Sequence, residues 1–279
     1  GTPTKNVNTM APFLTLANLY EEYGERTYLP YLDIWAEWVM NDMPRTEEGG
    51  LQHIVFNSEN PQQLWDDTLM MCVLPLARIG QVLNRPQYLE EARRQFMLHV
   101  KYLQDSRTGL WFHGWTFDGR HNFAKALWAR GNSWVTIAIP EFIEMLDLQP
   151  GDGLRSFLLG TLEAQVRTLA KHQDASGLWH TLIDDPKSYL EASATAGFAY
   201  GILKAVRKRY LPSSYAEVGL RAVQGVLNNI GDDGELKNVS FGTAMGSDLD
   251  FYRRIPLTSM PYGQSMAMLA LCELLRTRI

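Results

Sequence analysis

Gly50-Leu51-Gln52-His53, Gly109-Leu110-Trp111-Phe112-His113, Gly177-Leu178-Trp179-His180 and Gly234-Glu235-Leu236 are four versions of one turn. Their leucines fall 59, 68 and 58 residues apart, a histidine follows two or three residues later in the first three, and acidic or small polar residues precede the glycine, as from Asp105 to Gly109 and from Asp174 to Gly177. This is an internal repeat. A period of about 60 is too long for the common helical solenoids but holds two helices of about 20 residues and a connection. The chain therefore reads as stacked helical hairpins with one loop type gathered on one face, and loops on a rigid scaffold are where ligands bind.

Working outward, helix-period apolar patterns occupy 7–23, 27–42, 64–83, 86–105, 126–146, 154–173, 189–211, 213–230 and 262–279. Ser213-Ser214 supplies capping chemistry, and Gly24 and Gly231 supply stops. The helices alternate in character. Those at 64–83, 126–146, 189–211 and 262–279 open with aromatic, small or polar residues and become almost wholly apolar, whereas 86–105 and 154–173 are amphipathic. Two concentric layers follow: an all-α, (α/α)6-barrel type of helical toroid forming a single domain over 1–279. Six hairpins of this length need about 360 residues. The 279 residues hold four and a half, so the ring is expected to be open or to lack N-terminal helices.

The composition is that of an ordinary globular chain, with 46% hydrophobic and 20% charged residues. A net charge of −5 and scattered basic residues argue against nucleic acid. No apolar run approaches a membrane span, and the start Gly1-Thr2-Pro3-Thr4-Lys5 is no signal peptide. A cytoplasmic location is expected, with a periplasmic or secreted one left open, as is a homo-oligomer. Cys72 and Cys272 lie in apolar helical runs without metal-ligand spacing and are expected to be buried free thiols. The 11% aromatic content exceeds what a helical core needs, and flat rings are what sugars stack on.

Four constellations crowd the mouths of the inner helices. In the first, Leu64-Trp65-Asp66-Asp67-Thr68, two acids sit at a helix start, where the helix dipole also favours them. A carboxylate beside Trp65 and ahead of Met70-Met71 is desolvated, which raises its proton affinity and suits it to donating a proton. The second joins His113-Gly114-Trp115 to Trp128-Ala129-Arg130-Gly131-Asn132-Ser133-Trp134. Buried Arg130 and Asn132 need partners, and an arginine fork beside tryptophan platforms suits an acidic sugar. The third, Trp179-His180 with Tyr189 and Glu191, serves either ligand binding or interhelix hydrogen bonding. The fourth, Met260-Pro261-Tyr262-Gly263-Gln264, preceded by 246–252, reads as structural closure. Nucleotide-binding and zinc-hydrolase motifs are absent from the sequence.

In this order, the segments Asn6-Val7-Asn8, 14–20, Trp65 to Met70, His113 to Trp115, Trp128 to Trp134, Ser188 to Ser193 and Tyr262 to Gln264 resemble the unsaturated rhamnogalacturonyl hydrolases of glycoside hydrolase family 105, related to the unsaturated glucuronyl hydrolases of family 88. The resemblance implies an (α/α)6 barrel, normally longer at its N-terminus. It also implies hydration of the C4=C5 double bond that polysaccharide lyases leave on a terminal uronic acid, with no cofactor and no metal. Asp67, rather than Asp66, would be the general acid/base. Trp65, His113, Trp115, Trp128, Arg130, Asn132 and Trp134 would hold an oligosaccharide ending in an unsaturated uronic acid. This differs from ordinary glycosidases, in which two carboxyls flank the anomeric carbon.

One departure stands out: the family's second active-site Asp, just before its Asn-x-Asn segment, is here Lys5. Either the alignment slips there or the site has changed. Two other readings therefore stay open. His53, His113 and His180 on equivalent loops suit a toroidal sugar epimerase or polysaccharide lyase, and Lys5 suits a non-catalytic oligosaccharide-binding relative.

Overall fold

The computed structural model describes residues 4–277. The expected helix at 7–23 is two helices, α1 (Val7–Met10) and α2 (Phe13–Tyr23), with Ala11-Pro12 between them. Asn6 caps α1 by accepting from the backbone of Asn8 and Thr9, and α2 stops at Gly24 in the left-handed conformation. The 27–42 segment gives a short 3-10 turn, α3 (Leu29–Glu37) and a π-helical stretch, Trp38–Asp42. The 64–83 segment is only partly helical. Gln63–Trp65 is a strand, β1, and the chain turns through Asp66 into a π-helical stretch, Leu69–Val73, before α4 (Leu74–Val82). The later helices are α5 (Pro86–Leu103), α6 (Ala129–Met145), α7 (Gly153–His172), α8 (Ala192–Arg207), α9 (Ala216–Leu227), α10 (Leu249–Arg253) and α11 (Pro261–Arg276). The pattern does not announce α10, because five residues carry too little periodicity; Asp248 caps it. Ser213-Ser214 does not cap α9. It forms a 3-10 turn with no side-chain cap. The last two residues of the 262–279 segment lie outside those described.

The two layers are present. Every residue of α8 from Ala192 to Ala205 is buried, as is nearly all of α6, whereas α5, α7 and α9 each bury one face. Packing runs α2 to α4, α4 to α6, α6 to α8 and α8 to α11, with α3, α5, α7 and α9 outside. The result is four hairpins and a single last helix. α11 is packed on one side and shows Met268 and Leu275 to solvent. Cys272 lies on that same stripe and is exposed, contrary to expectation, while Cys72 is buried and its thiol is pushed up to about 12 by burial.

The repeat is real, but its register differs from the alignment on leucine. The left-handed glycines are Gly49, Gly109, Gly177 and Gly234. In the first, third and fourth turns the residue three before that glycine accepts its N–H: Thr46, Asp174 and Gly231. Gly50 and Glu235 are thus the counterparts of Leu110 and Leu178, and Leu51 and Leu236 those of Trp111 and Trp179. Bridges from Leu51 to Arg45, Trp111 to Gln104 and Leu236 to Ile230 confirm the shift. His53 and His113 then become equivalent, two residues beyond the buried apolar anchor. His180 does not: its unit places Thr181 there.

These equivalent positions stitch the mouths of the inner helices together. The His53 N–H donates to Gln63, that of His113 to Ala126 and that of Thr181 to Tyr189. In return, the carbonyls of His113, Thr181 and Asn238 accept from Asp66, Ala129 and Ala192. Short antiparallel pairs extend the stitching: β1 with β2 (Gly114–Thr116), β3 (Trp179–His180) with β4 (Leu190–Glu191), and β5 (Val239–Ser240) with β6 (Leu257–Thr258). By this register Trp65, Trp128 and Glu191 are counterparts, as are Asp67, Arg130 and Ser193.

Candidate active site

The stitched mouths surround a cavity of about 1240 Å³. Trp65, Asp67, Trp128, Arg130 and Trp134 all line it. Asp67 and Arg130 reach it because each immediately follows the residue that donates its stitching bond, Asp66 and Ala129, so both side chains project from helix entries on the same face. The rest of the lining is largely apolar and sulfur-rich, with Met70, Met71, Met245, Met260 and Met266.

Asp67 stands over two histidines. His113 Nε2 lies 3.6 Å from Asp67 Oδ2, and His113 Nδ1 is 2.8 Å from the Tyr252 hydroxyl. That hydroxyl also accepts from the Gly246 N–H and donates toward the Met245 sulfur at 3.7 Å; it is the Asp67 carboxylate beside Nε2 that draws the imidazole proton to that nitrogen. His53 stacks on Trp65 with ring centroids 4.2 Å apart, and its Nδ1 is 2.8 Å from Thr68 Oγ1.

The charge state differs from the expectation of a raised Asp67. Burial alone would lift this carboxyl, but His113, and behind it His53 and Asp66, reverse the effect and bring it down to about 2. Asp66 takes the opposite course. Fully buried, it is raised well above the carboxylate range by desolvation and by the neighbouring Asp67. Burial keeps the histidines neutral, with His53 at about 3 and His113 below its ordinary value. One donor atom from each of Asp66, Asp67 and His113 lies within 4.8 Å of the others. Burial and the neighbouring Asp67 favour the neutral form of Asp66, while Asp67 is held toward its anion.

Other expected residues are placed differently. Arg130 is buried, and its guanidinium lies between the Trp128 and Tyr262 rings, 4.6 and 4.7 Å from their centroids. It donates to the carbonyls of Ser240 and Phe241 and to the hydroxyls of Ser240 and Thr243, so much of the fork is spent holding the 240–243 loop. Asn132 faces away from the cavity. It is fully buried and bonds both backbone groups of Trp111 and the carbonyl of Trp128. Trp115 is also off the cavity wall: paired with Leu64 across β1 and β2, it packs on Tyr102 and Phe117. Glu191 caps α8 and accepts from the Ser240 N–H. Lys5 reaches the Ile34 carbonyl at 3.4 Å rather than the cavity.

The cavity also uses residues that the motifs understate. His53 lines it, as do Tyr262, Met260 and Pro261 from the segment read as structural closure, and the 242–247 loop. The repeat equivalence of His53 and His113 was the available signal; the loop had none, being short of both period and motif.

Two layers of helical hairpins around an aromatic pocket lined by one carboxyl, Asp67, define a toroidal carbohydrate enzyme. The sequence profile of Glycosyl Hydrolase Family 88 matches residues 1–278, and the chain belongs to that family. It is 35% identical over 283 residues to the unsaturated rhamnogalacturonyl hydrolase YesR of Bacillus subtilis, covering 100% of this chain and 79% of that protein. A crystal structure of a possible GH105 family member from Salmonella enterica serovar Paratyphi A superposes with a TM-score of 0.99 at 66% identity, covering 100% of this chain and 74% of that one. A family 105 glycoside hydrolase from C. acetobutylicum gives 0.87 at 26% identity, over 97% and 80%. The expected helical toroid and hydrolase class are borne out. Among the described residues no helix is long and apolar enough to cross a membrane.

Proposed function

We propose that the protein releases the unsaturated uronic acid from lyase-generated oligosaccharides of rhamnogalacturonan type, with Asp67 as general acid/base. The observation that carries this is that one carboxyl, Asp67, lines the cavity together with Trp65, Trp128, Trp134 and the cation Arg130. A sugar ring stacks on the indoles, and its carboxylate is attracted to the positive side of the pocket.

Asp67 is an anion in the empty pocket, whereas the first step needs an acid. A bound uronate brings a second negative charge and displaces water, and both raise the proton affinity of Asp67. Protonated Asp67 then delivers its proton to C4 of the vinyl ether, leaving an oxocarbenium ion at C5 and the ring oxygen. Water adds to C5 as Asp67 takes back a proton. The C5 hemiketal opens to a ketone, which leaves a hemiacetal at C1, and this collapses to an aldehyde with release of the neighbouring sugar. One water is consumed and Asp67 ends as it began. His113, neutral with its Nε2–H toward Asp67, steadies the anion without competing for the proton.

Asp67→Asn is expected to lower kcat by about 10²–10⁴-fold while leaving binding nearly intact, because the amide keeps the shape and loses the proton. The assay follows loss of the enol-ether absorbance of an unsaturated disaccharide. Full turnover by the variant would remove Asp67 from this role.

A further inference from the structure

Asp66 is an anomaly in the repeat. Its counterparts at the first stitching position of the following units are Ala129 and Ala192, both completely buried. Where the fold asks for a methyl group, this unit places a carboxyl with no exposed surface, and neither of its oxygens has a hydrogen-bond partner. Room for it is made on α6. A Cβ on Gly131 would lie 2.2 and 2.4 Å from the two Asp66 oxygens, so the carboxyl fills the space a side chain there would take. A buried polar group without a partner is costly, and a buried pair of adjacent anions would be worse. Asp67 Oδ2 next to it is likewise buried without a partner. A single proton between the two residues satisfies both.

We propose that Asp66, as a neutral carboxylic acid, donates a hydrogen bond to the Asp67 carboxylate and is the positioning residue that holds it toward the cavity. This rests on the reading of Asp67 as general acid/base. The direction in which burial and Asp67 push Asp66 agrees with the geometry. His113 Nε2, 3.6 Å from Asp67 Oδ2, is the second neutral neighbour of the same carboxylate. Asp67 is thereby steadied from two sides, and neither supporter carries charge. The other titratable groups around the pair are His53, His113, Arg130 and Tyr252. The histidines titrate on the acid side. Tyr252 is pushed above its ordinary value, mainly by burial, and stays a neutral neighbour of the pair.

Asp66→Ala restores the residue of the other units and is expected to fold. It should lose about tenfold to 10²-fold in kcat with little change in KM. Asp66→Asn keeps a donor that cannot ionise. It should recover most of that loss near pH 6, because the amide N–H still reaches the Asp67 carboxylate. Wild-type kcat in Asp66→Ala, or no recovery in Asp66→Asn, would overturn the proposal. A readout independent of turnover separates it from the role of Asp67: carbon NMR of protein labelled at the aspartate carboxyls. One carboxyl should remain protonated well above the ordinary range, and its signal should vanish in Asp66→Asn. If no such carboxyl exists, Asp66 is an anion and the proposal fails, whatever Asp67→Asn does.

Discussion

Arg130 shows how one residue can serve recognition and architecture together. The sequence placed it beside two tryptophans and suggested a fork for a substrate carboxylate. In the structure the fork grips the 240–243 loop, which forms part of the cavity rim, while the charge remains beside the cavity. Lysine keeps the charge but concentrates its donors on one atom, which cannot span Ser240, Phe241 and Thr243. Arg130→Lys is therefore expected to raise KM on the order of tenfold, from the loss of several hydrogen bonds worth about 1 kcal/mol each offset by the retained charge. The effect on kcat should be smaller. Steady-state kinetics on an unsaturated disaccharide decide it: an unchanged KM would mean that neither the loop nor the carboxylate depends on the fork. Glu191, from the third constellation, resolves the other way, since its carboxylate is consumed by capping α8 and bonding Ser240.

At the scale of the element, the Gly-Leu turn made the fold legible but concealed its register. Glycine in the left-handed conformation is forced by the turn, so its recurrence survives divergence. The leucine beside it is not forced. The buried anchor after the turn is leucine in two units and tryptophan in two, and aligning on leucine slips two units by one residue. That slip paired His53 with His180, whose true counterpart position holds Thr181. The β1 strand was missed for a related reason: three residues carry no period, and their pairing partner, β2, lies some fifty residues away. The turns also differ in what they press against. At Gly177 the φ is 86° and a Cβ would meet the Arg221 carbonyl of α9 at 2.2 Å, whereas at Gly234 the φ is 79° with nothing within 4 Å. Gly177→Ala combines backbone strain with overpacking and should cost about 2–4 kcal/mol, a Tm loss of roughly 5–10 °C. Gly234→Ala carries the strain alone and should cost about 1–2 kcal/mol. Equal losses in thermal melts would show that contact with α9 adds nothing.

At the scale of the molecule, concentrating buried ionisable groups behind one cavity couples the active site to stability. His53 and His99 are held at about 3 and about 4, and His113 also lies below its ordinary value, in each case chiefly through burial. As pH falls through about 6.5 the unfolded chain takes up these protons and the folded chain does not, so the histidines favour unfolding in acid. Asp66 works in the opposite sense: folded, it keeps a proton that the unfolded chain releases above about 4. The contribution of Asp67 is present above its unfolded value and is lost only as pH drops toward about 2, outside this window. Three groups outweigh one. Stability should therefore fall by about 1–3 kcal/mol between pH 7 and pH 5, as read from denaturant unfolding at constant ionic strength. Asp66→Asn removes the opposing group, so its loss over the same interval should be steeper than that of the wild type. A gain of stability on acidification that persists in Asp66→Asn would mean that the buried histidines are charged in the folded protein, and the neutral His113 beside Asp67 would have to be abandoned with them.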